Sequence, residues 1–233
     1  MAPRPTIAFD LDGTLVDSAP DLLSALNVVL HEAGLDPISD DDARGLYGGG
    51  ARLLIERGLE FHGMHRGVAD IDAMFKRFLA YYEDHIADGS APFPGAAEML
   101  DTLAAKDARL IVVTNKFERF SVKLLKLLGL AGRFQVIAGP DTFGLRKPDP
   151  GHLLRAVEQA GGDQSTTVMV GDSITDVATA RAAKVPVIAV SFGYRDRSVE
   201  ALGADKIVDR LEQVPEAAAR LLAIARRQSL ARG

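Results

Sequence analysis

Short apolar runs that end on a polar residue or a glycine recur along this chain at residues 6–9, 110–113, 136–138, 167–170 and 187–190. Runs of this length, bounded in this way, are predicted strands. Between most of them the apolar residues recur at helical spacing, at 94–105, 118–128 and 150–160. Strands alternating with helices predict an α/β fold, a doubly wound parallel sheet of the Rossmann-like kind. One interval breaks the alternation. From Val16 to about Pro92, roughly 75 residues pass without a core strand, far more than the ~4–6 of an ordinary connection. Helical spacing fills much of that interval, at 20–34, where Leu22, Leu26, Val29, Leu30 and Ala33 share a face, and at 51–61 and 69–86. The expected organisation is a core domain of residues 1–15 and 93–233, with a helical cap domain of residues 16–92 inserted over the end of the first strand.

Composition narrows the function classes. The 233 residues carry a net charge of −5, which offers no basic field for nucleic acid. Cysteine is absent, so disulfides, thiolate catalysis and cysteine-ligated metals are excluded. Asp10 arrives before any long apolar segment has formed. The expectation is therefore a cytoplasmic protein with no membrane span. A monomer or homodimer is expected, with composition favouring neither.

The candidate chemistry sits where the apolar runs end. The first run leads into Asp10-Leu-Asp12-Gly13-Thr14, two carboxylates two residues apart with a glycine that frees the turn. On an extended strand both would face one site, where like charges invite a cation or a division of roles. The run at 110–113 delivers Thr114 and Asn115, a hydroxyl and backbone N–H groups that suit phosphate oxygens or simply begin a helix. Lys147 lies between Arg146 and Pro148 and could neutralise an anion. The run at 167–170 ends in Gly171-Asp172-Ser173, with Asp176 four residues after Asp172. Asp172 is a hard oxygen ligand, and no histidine or cysteine set competes for a softer metal.

Taken in order, Asp10/Asp12, Thr114, Lys147 and Asp172/Asp176 resemble the four motifs of the haloacid-dehalogenase-like phosphatase superfamily, and the resemblance spans essentially the whole chain. It implies that Asp10 is the nucleophile that becomes an aspartyl phosphate and that Asp12 is the acid and base. It further implies that Thr114, the N–H of Asn115 and Lys147 hold the phosphoryl oxygens. Magnesium would be bound by Asp10, Asp172 and the backbone carbonyl of Asp12. Gly13, Thr14, Ser173 and Asp176 would support these groups, Asp176 by orienting Lys147 or through water. The second aspartate, Asp12, disfavours the dehalogenases, which lack it. Lys76, the one lysine between Val16 and Pro92, lies mid-helix, where the Schiff base of the phosphonate-cleaving relatives is not expected.

The cap segment Gly48-Gly49-Gly50-Ala51-Arg52, followed by Leu53 and Arg57, is similar to the glycine-rich pattern of bacterial phosphoglycolate phosphatases. Thr114-Asn115-Lys116 and Phe192-Gly193-Tyr194 are similar to that group as well. Phe117 and the loop at 139–146 depart from it. The resemblance implies hydrolysis of 2-phosphoglycolate to glycolate and phosphate, with Gly48, Gly49, Gly50 and Arg52 at the substrate. Arg52 could pair with its carboxylate or lie on the solvent face. Another small-molecule phosphatase, a pyrophosphatase and a sugar phosphomutase are the alternatives on the same fold.

Overall fold

The computed structural model describes residues 4–194 and 198–230. The chain begins with β1 (Thr6–Phe9) and then a two-residue strand, β2 (Val16–Asp17). It continues into the helices α1 (Ala19–Glu32), α2 (Asp40–Ala43), α3 (Ala51–Phe61) and α4 (Val68–Asp84). It returns through β3 (Ala91–Pro92) to α5 (Ala96–Ala105), β4 (Arg109–Val113) and α6 (Glu118–Leu127). Then follow β5 (Val136–Ala138), α7 (Pro140–Phe143), α8 (Pro150–Gln159) and β6 (Thr167–Gly171). The chain ends with α9 (Ile174–Ala182), β7 (Val187–Val190), β8 (Lys206–Val208) and α10 (Val214–Leu230).

Six strands form one parallel sheet in the order β5-β4-β1-β6-β7-β8. The inner strands β1, β4, β6 and β7 are buried on both faces, which is why the sequence shows continuous apolar runs there rather than alternation. Ile7 and Phe9 point into one apolar layer with Leu110, Val112, Val168 and Val170. Ala8 points into the other with Ile111, Val113 and Met169, beneath Leu153 and Ala156 of α8. β8 was not among the expected strands, since Lys206-Ile-Val208 is short and begins on an exposed lysine. It takes its place by pairing with β7 at the sheet edge.

The long interval folds as helices, with no strand of the six-stranded sheet in it. Leu26, Val29 and Leu30 of α1 are buried against α3 and α4, and that cap core is continuous with one layer of the sheet. Leu22 and Ala33, placed on the same face by spacing, are only half-buried, and Leu22 lines a cavity instead. The chain leaves and re-enters the core through the antiparallel ribbon β2-β3. Asp21 at the start of α1 is buried there and accepts the N–H groups of Gly89 and Ser90, both at 2.8 Å, and the Ser90 hydroxyl at 2.5 Å. One carboxylate therefore ties both connections together. No helix among the described residues is long and apolar enough to cross a membrane.

Candidate active site

The strand order reverses at β1: the chain first adds β4 and β5 on one side of it and then returns to add β6, β7 and β8 on the other. At such a switch point the connections diverge and leave a crevice at the carboxyl ends of the strands. Asp10 follows β1, Thr114 follows β4 and Asp172 follows β6, so all three meet in that crevice. They line a cavity of about 340 Å³, whose cap side is formed by the glycine loop and apolar side chains such as Phe78 and Tyr82.

Asp10 extends the ladder, its N–H donating to the Val170 carbonyl at 2.9 Å. Its Oδ1 accepts from the Leu11 N–H at 2.7 Å and lies 2.8 Å from the Lys147 ammonium. Among the described residues no donor reaches Oδ2, which leaves that oxygen available for a substrate. Burial, together with the charges of Asp176 and Asp12, pushes the Asp10 carboxyl up to about 6 despite Lys147. Asp172 is also raised well above the ordinary carboxyl range, by burial first and then by Asp176 and Asp10. Its oxygens accept from Thr14 Oγ1 at 3.2 Å and from the Tyr194 N–H at 2.6 Å. Gly13 at φ 79° lets the chain pass beside it, because a Cβ there would lie 2.4 Å from Asp172 Oδ2.

Asp176 is wholly buried and fully engaged. Oδ2 accepts from Ser173 Oγ at 2.7 Å, the Ser173 N–H at 3.0 Å and the Asp172 N–H at 3.2 Å, and Oδ1 from Lys147 Nζ at 2.6 Å. Ser173 and Asp176 thus make the capping box of α9 while Asp176 orients Lys147. Burial by itself lowers the Lys147 pKa, and Asp10 and Asp176 reverse that, so the ammonium is retained. The backbone of Lys147 is held by Asn115, whose amide donates to its carbonyl at 3.1 Å and accepts its N–H at 2.9 Å. Thr114 Oγ1 accepts the Lys116 N–H at 3.2 Å and still has its own proton to donate.

Two expectations need correction. Strand alternation does not place Asp12, because β1 ends at Phe9 and Asp12 lies in the turn with Gly13. Nor is its carboxylate grouped with that of Asp10. Carboxylate oxygens of Asp10, Asp172 and Asp176 come within 4.8 Å of one another, whereas the Asp12 carboxylate, at the same cavity, is held by Lys116 Nζ, 2.8 Å from each of its oxygens, and by Ser18 Oγ at 2.6 Å. Lys116 and Ser18 were absent from the expected site. Lys116 was visible only as the last letter of Thr114-Asn115-Lys116, and nothing local ties it to a residue 104 positions earlier.

The glycine loop is left-handed throughout, with φ of 92°, 86° and 96° at Gly48, Gly49 and Gly50. Arg57 secures it by donating to the carbonyls of Leu46 and Tyr47 at 2.9 Å and of Gly48 at 3.3 Å. From the core side, Arg146 Nη2 donates to the Gly49 carbonyl at 3.0 Å. Arg52 reaches the cavity edge but is already paired with Asp72 and lies over the Phe75 ring. Lys76 lies within α4, as expected.

Comparison with known proteins agrees with this geometry. The family model for haloacid dehalogenase-like hydrolases matches residues 7–190. The chain belongs to that family. Among its relatives, the phosphoglycolate phosphatase of Caulobacter vibrioides is 46% identical over 93% of this chain and 92% of its own length. The phosphoglycolate phosphatase of Agrobacterium fabrum is 45% identical over 88% of each chain. The crystal structure of a predicted phosphoglycolate phosphatase from Haemophilus somnus superimposes with a TM-score of 0.85, at 26% identity, over 93% of this chain and 99% of that one.

Proposed function

We propose that this family member is a magnesium-dependent phosphomonoester hydrolase that converts 2-phosphoglycolate to glycolate and phosphate through an aspartyl phosphate on Asp10. The observation that carries the chemistry is the buried Lys147 ammonium between Asp10 and Asp176, which aligns a carboxylate oxygen and a positive charge at the same mouth. The substrate name rests on the relatives and on the cap's glycine loop.

Asp10 attacks phosphorus as the ester P–O bond breaks, and Asp12 gives its proton to the departing glycolate oxygen. Water then attacks the aspartyl phosphate, Asp12 takes the water's proton, and the bond from phosphorus to Asp10 breaks. Thr114, the Asn115 N–H and Lys147 hold the phosphoryl oxygens through both steps. The donor set suits magnesium, since Asp10 and Asp172 offer hard carboxylate oxygens within 4.8 Å of one another, and Gly13 has no Cβ to crowd Asp172. When bound, the ion would neutralise charge on the carboxylates and the phosphoryl group. Asp176, whose Oδ1 accepts from Lys147 and whose Oδ2 accepts from Ser173 and the Asp172 N–H, orients Lys147 and α9. The cap of residues 16–92 closes the site, hinged at the β2-β3 ribbon.

Phosphate release from 2-phosphoglycolate, pyrophosphate, glucose 1-phosphate and p-nitrophenyl phosphate, with magnesium and with chelator, tests this reading. A preference for 2-phosphoglycolate that Asp10→Asn abolishes is expected. An even profile sinks the substrate, and activity that survives Asp10→Asn sinks the nucleophile.

A further inference from the structure

We infer that Lys116 is the positioning residue for Asp12, holding the carboxylate that transfers the proton in one orientation against the cap; this rests on the acid and base role proposed above. The loop alone does not fix Asp12, since it follows the end of β1 and precedes a left-handed glycine. Its carboxylate is fixed from the side. Lys116 Nζ sits 2.8 Å from both oxygens, and Ser18 Oγ donates to Oδ1 at 2.6 Å. A grip on both oxygens sets the plane of the carboxylate as well as its position.

Lys116 is itself immobilised. Its N–H donates to Thr114 Oγ1 at 3.2 Å, its carbonyl accepts from Ser121 Oγ at 3.4 Å, and its side chain is 6% exposed. The ammonium lies 4.8 Å from the centroid of the Tyr82 ring, on α4 of the cap. Burial alone lowers its pKa, and Asp12 and Tyr82 more than offset that, so the charge is kept. Lys116 lines the cavity, but its ammonium is taken up between both Asp12 oxygens and an aromatic face, so it acts on the reaction through Asp12. The same contacts link the proton-transfer group to the cap, because the ring covering Lys116 belongs to α4. A group that hands a proton to a leaving oxygen gains from being held still, and a 1 Å misplacement can cost about 100-fold in rate.

The test is steady-state phosphate release from 2-phosphoglycolate and p-nitrophenyl phosphate by wild type, Lys116→Met, Lys116→Arg, Asp12→Asn and the double variant Asp12→Asn/Lys116→Met. Lys116→Met is expected to lower kcat about 100-fold with KM nearly unchanged, and Lys116→Arg to recover part of the loss. In the Asp12→Asn background the Lys116→Met change is expected to cost less than about twofold, because the group it positions is gone. Effects that multiply in the double variant, or a raised KM with kcat unchanged, would overturn the inference in favour of direct substrate contact. If Lys116→Met does not fold, Lys116→Gln alone and with Asp12→Asn carries the same comparison, since the two amides leave no buried charge. Full activity in Asp12→Asn removes the acid and base assignment and this inference together. Turnover of p-nitrophenyl phosphate without 2-phosphoglycolate removes only the substrate, and the comparison is then read on the aryl ester.

Discussion

Asp10→Asn, which should abolish activity, is expected to make the metal-free protein more stable at alkaline pH. Burial and two neighbouring carboxylates raise Asp10 from an ordinary 3.8 to about 6 in the folded chain. An acid with a raised folded pKa binds more protons folded than unfolded between those two values. Stability therefore falls as pH rises from about 4 to about 6, and the loss is complete above that window. At about 1.36 kcal/mol per pH unit, the interval corresponds to roughly 3 kcal/mol of destabilisation by the ionised group. An asparagine removes that cost but leaves Lys147 with Asp176 as its sole carboxylate partner, which offsets part of the gain. The expected net gain is about 1–3 kcal/mol at pH 8 in chelator, or a Tm rise of roughly 2–10 °C for a chain of this size. Urea and thermal unfolding of both proteins at pH 4 and pH 8 measure it. The difference should vanish at pH 4, where Asp10 is largely protonated in the folded wild type. Saturating magnesium should narrow or reverse it at pH 8, because a ligand at 100 times its Kd adds about 2.7 kcal/mol to the protein that binds it. A variant less stable than wild type at pH 8, or a difference independent of pH, would refute the electrostatic account of this site.

Three further outcomes follow from particular contacts. Gly13→Ala forces a side chain into φ 79° and places a Cβ 2.4 Å from Asp172 Oδ2, so it should lose nearly all activity and about 1–2 kcal/mol or more of stability, read by turnover and urea unfolding. Asp21→Ala strands the buried N–H and hydroxyl of Ser90 and frees the Gly89 N–H at the ribbon, an expected loss of roughly 2–3 kcal/mol, with proteolysis accelerated at the connections near residues 17–21 and 88–92. Arg52→Met should raise KM for 2-phosphoglycolate by about 10-fold or more if the arginine leaves Asp72 for the substrate carboxylate, while KM for p-nitrophenyl phosphate stays the same. Equal KM changes for both esters would return Arg52 to a structural role beside Phe75.

The layered core and most of the strand ends were legible in the order of apolar runs along the chain. Doubly buried strands must be continuous apolar runs, and five of the six sheet strands carry that mark; β8, short and edge-placed, does not. The motif residues Asp10, Thr114, Lys147 and Asp172 were legible because each follows such a run or lies in a stiff proline-flanked segment. Asp176 was legible through its spacing from Asp172 on a helix start. Tertiary structure decided which charge meets which. Lys116 and Asp12 are 104 residues apart, Lys147 and Asp176 are 29 apart, and Asp21 reaches across 68 and 69 residues to the returning chain. Such pairings depend on where loops end after the sheet has assembled, and hydrophobic period carries no record of that. Asp12 illustrates the division: its place in the chain announced a reactive carboxylate, and only the folded molecule paired it with a buried lysine at the cavity that it shares with Asp10.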